Sequence, residues 1–80
     1  MTWDDAATGL RVEYVEIGGA QLRDGTALWP RPVAGPQFKV SGPNTSGQLW
    51  VKGYARTAAE LAALDVPAKL IAEIETAAGR

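Results

Sequence analysis

"LWVKGYARTAAEL", residues 49–61, decides the fold of this chain. Its first half alternates, with Leu49 and Val51 in one phase and Trp50, Lys52 and Tyr54 in the other, the period of a half-buried strand. Its second half opens a helix. Thr57 and Glu60 stand at capping-box spacing: the threonine oxygen accepts from the glutamate amide, and the glutamate reaches back to the threonine amide. The chain therefore turns from strand to helix at Arg56, and the segments on either side sort accordingly.

Upstream the signals are those of strands and turns. Residues 1–8 read as a flexible start with Trp3 as its anchor. "LRVEYVEI", residues 10–17, alternates through Leu10, Val12 and Tyr14 and then slips one place to Val15 and Ile17. Such a slip implies a bulge or a change of buried face. "AQLRDGTALW", residues 20–29, has the form of a β-hairpin turning at Asp24 and Gly25. Pro30, Pro32 and Pro36 then predict an extended loop or sheet edge, because proline lacks a backbone donor. "FKV" and "QLWVK" flank "SGPNTSG", which predicts a second hairpin with a longer loop. Asn44-Thr45-Ser46 matches a glycosylation sequon and is read as part of that turn.

Downstream, Leu61 and Leu64 share one helical face. Pro67 would break a continuous helix, so Asp65 is expected to cap a second one that buries Leu70, Ile71, Ile74 and Ala78 and stops at Gly79. The expected architecture is α+β: a small antiparallel sheet of two hairpins plus an N-terminal strand, followed by two C-terminal helices packed on one face. A single domain spans residues 1–80, β-rich over 9–55 and helical over 57–79.

Composition narrows the chemistry. Eighty residues make one domain, and neither cysteine nor histidine is present. Disulfides, thiolate or imidazole metal sites and the commonest general base are thereby excluded. No cofactor or metal is expected. A hydrophobic share of 46% with 21% charged residues is that of a folded chain. No leader pattern appears, and no stretch approaches the ~20 apolar residues of a membrane span. A cytoplasmic protein without membrane contact is expected. The richness in Ala, Gly, Val, Arg and Asp suits a high-GC coding sequence of bacterial or phage type.

The net charge of −1 hides an uneven layout. Residues 1–30 hold Asp4, Asp5, Glu13, Glu16 and Asp24 against Arg11 and Arg23. Residues 57–80 are also acidic, whereas 31–56 hold Arg31, Lys39, Lys52 and Arg56 and no acid. If Leu49 and Val51 face the core, alternation places Trp50, Lys52 and Tyr54 with Lys39 on the other side. Trp29, Arg31 and Arg56 would extend that aromatic and basic face. Aromatics of this kind anchor protein contacts, and stacked bases with paired phosphates use the same combination. The opposite parity makes Trp50 and Tyr54 core residues with Lys52 at the margin.

The helix pair resembles a helix-turn-helix in outline. Its second helix, however, carries Glu73 and Glu75 against Lys69, where phosphates and base edges call for basic or amide side chains. Catalytic groupings are weaker still: Asp4 with Asp5, and Glu13 with Glu16, are the nearest carboxylate pairs, and Ser41 and Ser46 have no histidine to activate them. The reading that follows is a non-enzymatic module that binds another protein. Nucleic-acid binding through the same face is the alternative, and assembly as a homo-oligomer a further one.

Overall fold

A computed structural model describes residues 1–18 and 33–79. The hairpin expected at 20–29, together with Trp29 and Arg31, lies outside them. Four strands, β1 (Thr2–Asp5), β2 (Leu10–Ile17), β3 (Gly35–Pro43) and β4 (Leu49–Ala55), form one antiparallel sheet in the order β1-β2-β3-β4. Helices α1 (Ala58–Ala63) and α2 (Ala68–Ala77) follow. The α+β architecture, sheet first and helices last, is as the sequence predicts.

The start of the chain departs from expectation. Thr2 to Asp5 is a paired strand, not a flexible lead, with Trp3 opposite Val12. The turn into β2 closes when the Gly9 amide donates to the Asp5 carbonyl at 2.8 Å and the Thr8 hydroxyl to the Asp5 carboxylate at 2.6 Å. Gly9 adopts φ +75°, a conformation that suits glycine. What holds β1 down is Trp3, whose ring meets Phe38 edge to face at 5.9 Å.

The slip in β2 is a change of face and not a bulge. Pairing with β3 runs without interruption from Arg11 opposite Ser41 to Ile17 opposite Gly35. Tyr14 stays on the side of Val12, its ring 5.7 Å from Phe38, while Val15 and Ile17 lie half-buried on the other side. Of the extended loop or sheet edge expected at the prolines, Pro36 takes the edge: it lies inside β3, in the stretch paired with β2 alone among the described strands. It is tolerated because it precedes Phe38, where the pairing with β4 stops.

The helices cover one side of this sheet. Val12, Phe38, Val40 and Ala55 from the strands pack with Leu61, Val66, Leu70 and Ile74 from the helical segment, with Trp3, Leu64 and Ile71 partly buried around them. Thr57 caps α1 by accepting from the Glu60 amide at 3.2 Å; its own hydroxyl donates to the Glu60 carboxylate, in place of the expected bond to the threonine amide. Asp65 does not begin α2. It ends α1 in a left-handed conformation, φ +67°, with its amide on the Ala62 carbonyl and the Val66 amide on the Leu61 carbonyl. That is a Schellman cap, sealed by the buried pair Leu61 and Val66. Pro67 then leads α2 in without a side-chain cap, which suits its fixed φ and missing amide hydrogen. Ala78, expected in the core, is exposed, and Gly79 ends α2 at φ +72°.

Candidate interaction surface

The site question turns on β4, and there the alternation breaks. Val40 pairs with Gly53 and Ser41 with Val51, so Lys52 is the extra residue of a β-bulge. The side assignment expected from strict alternation therefore holds beyond the bulge, at Tyr54, and fails before it, at Trp50 and Lys52.

Two side-chain sets result. Beyond the bulge, Tyr54 stands opposite Lys39, which in turn stands opposite Glu13, on the side away from the helices. Tyr54 is half-buried, and this burial raises its phenol pKa above the ordinary value. Before the bulge, Trp50 pairs with Gly42. A Cβ on Gly42 would lie 2.8 Å from Leu10 and 3.1 Å from Lys52, so Trp50, Lys52 and Leu10 share the helix-bearing side. Arg56 reaches the Ala34 carbonyl at 3.5 Å, near the start of β3. Lys39 with Tyr54, and Trp50 with Lys52, are thus neighbours in pairs, and the two pairs occupy opposite sides of the sheet.

Folding also disperses the basic middle of the sequence. Lys52 bonds Asp65 at 3.1 Å, bridging the bulge to the turn between the helices. Such an exposed pair contributes only ~0.2–1 kcal/mol. Lys39 meets Glu13 across the strands. Arg11 bonds Asp4 at 2.8 Å, and that carboxylate holds the guanidinium pKa above its usual value. Of the acid-free middle, Lys52 is thereby bonded to an acid outside it and Lys39 stands opposite one.

What remains uncovered is apolar. Trp50 is 60% exposed and Leu49 53%, consecutive residues at the start of β4 whose side chains face opposite sides of the sheet. Pro43 lies opposite Leu49, and Leu10 lies beneath the Trp50 side of a shallow notch. Trp50 answers the parity question in an unexpected way: it points to the core side of the sheet yet lies beyond the helices that cover it. Leu49 was missed as a surface residue because strand alternation alone assigned it inward.

Carboxylates elsewhere are engaged structurally. Asp4 takes Arg11, Asp5 takes Thr8, and Glu16 accepts from the Tyr14 hydroxyl at 3.1 Å. Among the described residues no cluster of three or more acids is placed to hold a metal ion, and no helix is long and apolar enough to cross a membrane. No family model, curated protein or solved structure matches this chain.

Proposed function

We propose that this chain is a non-enzymatic protein-interaction module whose contact surface is the corner of β4 made by Leu49 and Trp50, framed by Pro43, Leu10 and Lys52. The observation that carries this reading is the exposure of both Trp50 and Leu49 on the strand where the described sheet ends. Among the described residues, Phe38 is the only aromatic of the largest fully buried side chains, so leaving a tryptophan in solvent forgoes burial that a small core needs. Adjacent exposed apolar residues of this type mark contact sites, and tryptophan is enriched among the residues that dominate binding. The ion pairs of Lys52 with Asp65 and Arg11 with Asp4, and the position of Lys39 opposite Glu13, favour a protein over a polyanion as the partner. Composition supports a small cytoplasmic accessory protein of bacterial or phage type.

Tryptophan fluorescence tests the reading. Subtracting a Trp50→Phe spectrum isolates the Trp50 component, expected to be red-shifted and quenched by iodide in dilute protein. Trp50→Ala should keep the fold and lose partner binding. A blue, unquenchable component, or a variant that unfolds, overturns the assignment. Protection of that component by a single-stranded oligonucleotide, lost steeply with salt, would transfer the site to nucleic acid.

A further inference from the structure

We propose that the partner at this corner is a second copy of the chain, joined by antiparallel pairing of residues 49–51 of β4 with the same residues of its mate, about a two-fold axis at Trp50. The inference rests on the reading of the corner as a protein contact and adds who binds there and in what register.

Backbone geometry carries the argument. Antiparallel ladders alternate between pairs that exchange hydrogen bonds and pairs that do not. The Asn44 amide donates to the Gln48 carbonyl at 2.8 Å, which makes Asn44 and Gln48 a hydrogen-bonded pair. Pro43 and Leu49 follow, and Pro43 has no amide hydrogen to give. Gly42 and Trp50 are then the next bonded pair, so the main chain of Trp50 is directed at β3. Leu49 and Val51 direct their amides and carbonyls outward, along the free side of β4 in a sheet whose described strands end there.

This open segment is bounded. The hairpin loop closes it before Leu49, and the bulge at Lys52 interrupts it after Val51. A lysine and a bulge are devices that block pairing along an edge. Within the remaining window, self-pairing centred on Trp50 sets Leu49 of each copy opposite Val51 of the other and satisfies both outward residues with four hydrogen bonds. Centring on Leu49 or on Val51 satisfies only one of the two. The Trp50 register also sets the two indoles side by side as a non-bonded pair, where side chains approach most closely. On the other side each Leu49 meets a Val51. Lys52 faces Gln48 of the mate, so no like charges meet. An axis normal to the sheet displaces the two helix layers toward opposite ends, because in each copy α1 lies over the Gly53 end of β4.

So short a contact falls below the ~1,200 Å² of standard interfaces, which predicts a weak, concentration-dependent dimer. Sedimentation equilibrium should show the mass rising from 8.5 kDa toward twice that value from micromolar to millimolar protein, with iodide quenching of the Trp50 component falling in step. Val51→Pro removes an outward amide hydrogen, which an edge strand tolerates, and should abolish the rise. Leu49→Lys should do the same should the proline variant fail to fold. The chain has no cysteine, so Trp50→Cys offers a register-specific test. Its two copies would lie ~4.5 Å apart between Cα atoms, within disulfide range. Under mild oxidation of concentrated protein this variant should convert mostly to a linked dimer. Tyr54→Cys, whose copies would lie roughly 26 Å apart along the strands, should stay unlinked.

A mass of one chain at every concentration, or a dimer indifferent to Val51→Pro and to Leu49→Lys, overturns the inference. In the first case the quenching data separate two failures. A Trp50 that remains quenchable leaves the corner as a contact for a different protein, whereas an unquenchable Trp50 in the monomer removes the contact reading as well.

Discussion

Among the described residues, each outermost strand of the sheet carries a tryptophan, and the two have opposite fates. Trp3 on β1 and Trp50 on β4 both point to the helix-bearing side, one opposite Val12 and the other opposite Gly42. Trp3 packs on Phe38 and the core, while Trp50 stands 60% exposed. The difference is position along the strands. Trp3 lies in the cross-strand row of Val12, Val40 and Gly53, which the helices cover; Trp50 lies in the next row out, with Leu10 and Gly42. Side-chain parity decides which side of a sheet a residue faces, and the reach of the second layer decides whether facing that side means burial.

The largest blow to this contrast is expected from Gly53→Val. A Cβ there would sit 2.7 Å from a methyl of Leu64, and the further methyls of valine must displace that side chain from the covered row. A loss of about 2–3 kcal/mol, read by urea unfolding, is expected for overpacking of this kind. Trp3→Ala should cost about 2 kcal/mol, less than a fully buried tryptophan because Trp3 is only partly covered. Asp65→Ala should cost about 1 kcal/mol, since alanine resists a positive φ and the bond to Lys52 is lost; Asp65→Gly should recover most of it. In dilute protein Trp50→Ala should change stability by less than about 0.5 kcal/mol, and a drop matching that of Trp3→Ala would erase the contrast. The smallest effect is alkaline. Burial raises the Tyr54 pKa in the folded state, so stability is complete below the ordinary phenol value and declines as pH rises past 10. Tyr54→Phe should remove that part of the decline in melting curves taken from neutral to alkaline pH.

Local chemistry was legible in the sequence wherever one short motif determined the outcome. The cap at Thr57, the helical stripe of Leu61, Leu70 and Ile74, and the hairpin around Asn44 all emerge as read. Strand β1 was hidden because Trp3 sits between Thr2 and two aspartates, and its pairing depends on Phe38, far along the chain. Asp65 was misplaced because aspartate is a common helix starter; here its tolerance of positive φ was the property used. The bulge did leave a trace. A glycine inside a strand pattern, Gly53, signals an irregularity, and alternation counted straight through it. Of the candidate site, tryptophan at position 50 was legible, but its neighbours were not. A one-residue shift in β4 turned Trp50 and Lys52 to the helix-bearing side, while Tyr54 stayed with Lys39 on the other as expected and Leu49 was left exposed.

The order β1-β2-β3-β4 also bears on how the chain reaches this state. Among the described residues every strand is hydrogen-bonded to the next described strand, so each pairing closes only the segment between the two. Such pairing keeps contact order below that of a sheet with crossovers, which favours faster folding. The contact that spans almost the whole chain is α2 against β1, and its closure entropy falls due last. Trp3 accordingly acts as the latch of the folded state: its removal should speed unfolding while leaving the folding rate nearly unchanged.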